Sequence, residues 1–125
     1  MNYIAIIIGG GIGAVLRYGS TFLIQSAYNK PFPLGTLFVN GAGALLIGFF
    51  FKTFEAFTVP EGLRFFVITG FLGGYTTFST YSLETLRFFL DGHIKQALLN
   101  IALNNGISIL CVLAGIALSK TLTGK

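Results

Sequence analysis

Thr76, Thr77, Ser79 and Thr80, with the rings of Phe78 and Tyr81 among them, place hydroxyl donors and aromatic edges inside a stretch otherwise apolar enough to span a bilayer. Gly70-Phe-Leu-Gly-Gly-Tyr75 leads into them, and paired glycine followed by paired threonine weakens a helix and frees backbone groups. Irregular backbone at membrane depth persists only where protein or a solvated cavity covers it, so this segment faces something polar. The chemistry on offer is coordination of an ion by uncharged donors. An aromatic edge carries partial positive charge and attracts anions, and Phe78 and Tyr81, three apart, share a helical face.

Other polar residues inside apolar runs extend the set. Asn40 stands one turn after Thr36, so amide and hydroxyl share a face. Asn100, Asn104 and Ser108 recur every four residues and draw one polar stripe, which Cys111 and Gly115 continue. None of these groups is a carboxylate or an imidazole, so the lining is neutral, rich in donors and poor at binding a cation strongly or shuttling protons. Arg17 adds a fixed positive charge in or near the first span, suited to raising the local anion concentration at a vestibule. Glu84 and Arg87, three apart, are spaced to pair with each other.

The elements that position these residues follow from composition. Of 125 residues, 54% are hydrophobic and 10% charged, against roughly 25% charged in soluble domains, and the mean hydropathy is +0.81. The chain reads as an all-α integral membrane protein, a single domain over 1–125. Four spans of close to ~20 residues or more are expected at 3–26, 34–51, 63–89 and 94–118, with a break in the third. Pro31 and Pro33 punctuate the first connection and Pro60 the second, while Asp91-Gly92-His93 is short enough to force a hairpin. The apolar N-terminal run lacks a basic leader and a cleavage site, so it is read as a retained span. The net charge of +4 comes from so few ionised groups that it implies headgroup contact and no nucleic-acid surface. Cys111, the single cysteine, reads as a small hydrophobe.

Lys52, Arg64, Lys120 and Lys125 fall on the side of the termini and second connection, and Lys30, Arg87 and Lys95 on the other. Four against three gives almost no positive-inside bias. Such a chain is expected to insert both ways and to pair as an antiparallel dual-topology homodimer, whose intersubunit surface helps line any path. Gly9 and Gly13, then Gly41, Gly43 and Gly48, mark faces where helix backbones approach. Gly9 to Ala14 also satisfies the dinucleotide pattern Gly-x-Gly-x-x-Gly/Ala. The strand before it and the acidic residue some twenty positions on that the pattern requires are both missing.

Three ordered motifs carry a resemblance to a known family. They are Gly10-x-x-Gly13-Ala14-x-x-Arg17-Tyr18, Gly35-Thr36-Leu37-x-Val39-Asn40, and Gly70-Phe71-x-Gly73-Gly74-x-Thr76-Thr77-Phe78-Ser79-Thr80. Together they resemble the fluoride channels called Fluc or CrcB, over nearly the whole chain. The resemblance implies a passive, fluoride-selective channel in the bacterial inner membrane, a dual-topology dimer with two antiparallel pores that exports cytoplasmic fluoride and lowers its toxicity. It implies a fluoride path along Asn40, Phe78, Ser79, Thr80 and Asn104, with Arg17 in the vestibule. It also implies a structural sodium ion at the dimer centre, held by the backbone carbonyls of Gly73 and Thr76 from each subunit. The family's second pore phenylalanine is Tyr81 here, a departure that keeps a ring edge, adds a hydroxyl and leaves pairing with a related, non-identical subunit open.

On this reading fluoride sheds its tightly held water as the Asn40 amide, the Ser79 and Thr80 hydroxyls and the ring edges replace it stepwise. Two other classes compete. A small multidrug-type proton-coupled cation exporter needs an embedded acid in the first span, where the chain has no Asp or Glu. A non-transporting membrane assembly subunit needs the glycine faces but leaves the polar residues without purpose. An enzyme is not expected, since no nucleophile, base and orienting group occur together.

Overall fold

The computed structural model describes residues 2–125, and helices with short connections account for all of them. α1 (Asn2–Tyr28), α2 (Leu34–Ala56) and the last helix, Ile94–Thr123, are each long and apolar enough to cross a membrane. Between them, 61–90 is helical in pieces. An α-turn at Glu61–Arg64 opens into eight residues of π-helix at Phe65–Leu72, and a single turn at Gly73–Tyr75 closes the run. Taken together, 61–75 is α3; Phe78–Leu90 is α4 and Ile94–Thr123 is α5. α2 continues five residues past the expected limit at Phe51, and α5 five past Leu118.

The ends of these helices have local causes. Asn29 takes a positive φ of 47° and donates its N–H to the carbonyl of Gln25, stopping α1. The Gln25 side chain then ties down the turn: Nε2 donates to the carbonyls of Lys30 (2.8 Å) and Phe32 (3.0 Å), and Oε1 accepts from the Gly35 amide at the start of α2. Pro33 and Pro60 stand immediately before α2 and α3, where a missing N–H costs nothing. At the end of α4, Gly92 (φ 78°) donates to Phe89 and His93 to Phe88, the paired bonds of a glycine-terminated helix.

Close backbone approach at glycines sets the packing. A Cβ on Gly13 would collide with the carbonyl of Phe71, and one on Gly74 would come within 2.5 Å of the carbonyl of Gly10, so α1 and α3 cross in direct backbone contact. α2 and α5 share the most extensive contact, made possible in the same way: a Cβ on Gly48 would meet the Val112 carbonyl, and one on Gly115 the Leu45 carbonyl. The buried interior is small and partly polar. Leu72, Val39, Thr36, Asn100 and Ser119 are its largest fully buried side chains, while large apolar residues of α1 and α5 remain exposed along their lengths. Those outward faces suit hydrocarbon rather than water. Ser119 bonds the Thr53 hydroxyl at 2.8 Å across the α2–α5 contact, and so remains satisfied with no exposure at all.

Candidate functional site

Helical backbone stops at Tyr75 and resumes at Phe78, with Thr76 (φ −90°, ψ 158°) and Thr77 (φ −147°, ψ 116°) extended between them. Side chains take over the bonds that the helix gives up. Asn40, from α2, accepts the Thr77 N–H on Oδ1 at 2.8 Å and donates Nδ2 to the Thr77 carbonyl at 3.1 Å. Thr77 then caps α4, its hydroxyl accepting the Thr80 N–H at 3.2 Å and donating to Thr80 Oγ1 at 3.0 Å. Ser79 Oγ lies 3.4 Å from the same Thr77 oxygen.

The second proton of Asn40 Nδ2 goes to Asn104 Oδ1 at 3.0 Å, so both N–H groups of this amide are engaged. Asn104 donates to the carbonyl and Oδ1 of Asn100, and Asn100 donates to Thr85. The stripe read from spacing as Asn100, Asn104 and Ser108 is thus a bonded series at its first two members. Tyr81 is buried and its hydroxyl accepts from Asn105 Nδ2 at 3.0 Å, leaving the phenol proton uncommitted. Phe78, 76% exposed, stands edge-on to Tyr81 with ring centroids 5.4 Å apart.

Two cavities meet at this interruption. A groove of about 320 Å³ is lined by Asn40, Thr76, Thr77, Phe78, Tyr81 and Asn104, joined by Asn105 and Ser108. A second, of about 460 Å³, is lined by Arg17, Thr21, Gln25, Thr36, Thr77 and Thr80. Thr77 borders both. Asn40, Phe78, Tyr81 and Asn104 thus line the first cavity and Arg17 and Thr80 the second, whereas Ser79 is exposed and lines neither. Arg17 does not reach away along α1: Nε donates to the Gly74 carbonyl at 3.0 Å, holding a guanidinium against the last turn before the interruption. Glu84 pairs with no cation. Its Oε2 accepts from Thr36 at 3.1 Å, and the only ion pair among the described residues is Lys52–Glu55.

The interruption also leaves carbonyls without their helical partners. The amide that an unbroken helix would bring to the Gly73 carbonyl is Thr77 N–H, which goes to Asn40; for Thr76 it is Thr80 N–H, which goes to Thr77 Oγ1. Both oxygens are hard, neutral ligands of the kind a small cation takes from unwound helix. No group of three or more His, Cys, Asp or Glu side chains able to hold a metal occurs among the described residues.

Thr85, Asn105 and Gln25 join the site without a spacing pattern that marks them. Asn105 carried the clearest signal, being a further amide in an apolar run directly after Asn104; the partners of Thr85 and Gln25 depend on tertiary placement.

Residues 4–116 match the family described as CrcB-like protein, Camphor Resistance (CrcB). Among curated relatives, a protein of Hydrogenobaculum sp. (strain Y04AAS1) named fluoride-specific ion channel FluC is 44% identical over 116 residues, covering 92% of this chain and 94% of its own. One of the same name from Sulfurihydrogenibium sp. (strain YO3AOP1) is 43% identical over 122 residues, covering 97% and 98%. Another, from Acidithiobacillus ferrooxidans (strain ATCC 53993 / BNL-5-31), is 49% identical over 89 residues, covering 70% and 71%.

Proposed function

The chain belongs to the CrcB family, and from that premise we propose that it is a passive fluoride channel of the bacterial inner membrane that lets cytoplasmic fluoride out and so lowers its toxicity. The observation that carries the reading is Thr77, clamped by Asn40, bonded to the Thr80 hydroxyl and bordering two cavities at once. Arg17 draws the anion into the larger cavity, where the positive charge raises its local concentration. The ion then passes Thr77 to the groove of Phe78, Tyr81 and Asn104. Donors along the way are the Thr80 hydroxyl, whose proton is free because its oxygen accepts from Thr77, and the Tyr81 phenol oriented by Asn105. Asn40 serves first as the buckle of the interruption, and lends an N–H to the ion only by exchange with Asn104. Several weak neutral sites in series let a strongly hydrated anion enter and also leave.

We propose further that 61–90 makes the third of four crossings in a single domain, interrupted at Thr76 and Thr77, and that two copies assemble antiparallel so that a second surface closes the open groove. The near-even distribution of Lys and Arg supports insertion both ways. Gly73 and Thr76 from each copy would hold a sodium ion through their carbonyls. When bound, the cation supplies charge that ties two interrupted segments together.

Purified protein in liposomes is expected to release fluoride at least about a hundredfold faster than chloride, followed with ion-selective electrodes. Equal rates, or no release of either ion, would overturn the channel reading. Protein prepared with N-methylglucamine in place of sodium is expected to lose fluoride flux and to regain it on addition of sodium chloride; flux indifferent to the cation would remove sodium from the assembly.

A further inference from the structure

The hydrogen bonds behind the groove run in one direction only. Thr85 Oγ1 spends its proton on the Tyr81 carbonyl at 2.8 Å, so toward Asn100 it can only accept, which it does from Nδ2 at 3.0 Å. That fixes the Asn100 amide with Oδ1 turned to Asn104, whose Nδ2 donates to it at 2.9 Å and to the Asn100 carbonyl at 3.0 Å. Asn104 is left with Oδ1 facing Asn40, and Asn40 with Oδ1 facing the Thr77 amide. The chain ends at both sides on main-chain groups, a carbonyl at Tyr81 and an N–H at Thr77, neither of which can exchange donor for acceptor. Reversing any one amide would set oxygen against oxygen and nitrogen against nitrogen along the series.

Asn40 and Asn104 line the groove; Asn100 does not, and Thr85 lines a separate cavity shared with Phe78 and Tyr81. Asn100 has no exposed surface, and Thr85 is 8% exposed. A polar series enclosed among helices, in which every side-chain nitrogen and oxygen has a partner, fixes one arrangement more firmly than apolar packing does. We propose that Thr85 and Asn100 are positioning residues, which through Asn104 hold the Asn40 amide with its oxygen on Thr77 and so keep the Thr77 N–H from returning to the Gly73 carbonyl. They touch no ion. Their effect is on the shape of the interruption, and the proposal rests on the reading that the groove beside it conducts fluoride.

Thr85→Val removes the hydroxyl at nearly constant volume, and Thr85→Ser keeps it. In reconstituted protein, Thr85→Val is expected to lower fluoride efflux about tenfold, the cost of leaving a buried amide unsatisfied, while Thr85→Ser stays within about twofold of the parent. The discriminating measurement repeats the substitution in an Asn104→Ala background, where the series is already cut: there Thr85→Val adds less than about twofold further loss, because coupled residues are not additive. Should Thr85→Val not yield monodisperse protein, Thr85→Ala carries the same expectations. Undiminished flux, equal losses in both backgrounds, or Thr85→Ser as damaging as Thr85→Val would each overturn the proposal and leave the channel reading intact. A parent protein that passes no fluoride defeats the channel reading, and this proposal with it.

Discussion

Asn40→Asp is expected to cut fluoride efflux from liposomes by a hundredfold or more, roughly, with the protein still eluting in the parent's oligomeric state. The substitution is nearly isosteric and keeps one oxygen to accept the Thr77 N–H, so the interruption retains its strongest tie. The other oxygen replaces Nδ2 and meets two acceptors, the Thr77 carbonyl and Asn104 Oδ1, at positions now 3.1 Å and 3.0 Å from the nitrogen. If the carboxyl is ionised, a unit negative charge about 4 Å from a passing anion opposes it by roughly 4 kcal/mol at the effective dielectric of a partly solvated site, more than two powers of ten in rate. If it is protonated, one hydrogen serves where Asn40 supplies two, and an acceptor is left facing an acceptor at a cost of roughly 1–3 kcal/mol. Both branches lower the flux. Efflux equal to that of the parent would take Asn40 out of the path, and would show that clamping the Thr77 N–H alone is enough.

How far the sequence alone reached differs by element, and the differences have causes. α1, α2 and α5 were legible because a long apolar run bounded by proline, glycine or asparagine can satisfy its backbone only as a helix in lipid. Their ends were read short, at Phe51 and Leu118, because Lys52 and Ser119 look like the start of water. In fact Ser119 is enclosed against Thr53, and Lys52 pairs with Glu55 on the surface of the same helix. The π-helix at Phe65–Leu72 leaves no trace in residue order: its sequence is merely apolar, and its close packing against the glycines of α1 belongs to tertiary structure. Among the polar residues, spacing placed Asn100 and Asn104 on one face, but it carried no information on which amide faces which. Glu84 and Arg87, three apart, looked like partners, yet Glu84 turns to Thr36 on α2, because interhelical geometry decides between a local partner and a distant one. Arg17, which spacing presents only as a fixed positive charge in or near the first span, lines the larger cavity and also donates to the Gly74 carbonyl, a partner that depends on how α1 and α3 cross.

The Asn40–Asn104 bond spans α2 and α5, the same two helices that come into backbone contact lower down, where Gly48 faces Val112 and Gly115 faces Leu45. A side chain at Gly115 has nowhere to go. Its Cβ would run into the Leu45 carbonyl and lie 2.8 Å from the Phe49 amide nitrogen, and main chain inside a membrane helix cannot yield without giving up its own hydrogen bonds. Gly115→Ala therefore forces the two helices apart by some tenths of an ångström, and Gly115→Val by more, at a cost of roughly 1–3 kcal/mol in stability. Hydrogen bonds weaken steeply as they lengthen, so separation at Gly115 also loosens Asn104 from Asn40, eleven residues up the same helix. A graded pair of outcomes is expected: Gly115→Ala lowers the thermal midpoint in detergent and fluoride flux modestly, and Gly115→Val lowers both strongly, with flux falling by about tenfold or more. The alternative is a close crossing that serves stability alone. In that case Gly115→Ala would lower the thermal midpoint and leave flux per folded channel unchanged, and helix contact at Gly115 would have no bearing on the Asn40–Asn104 geometry.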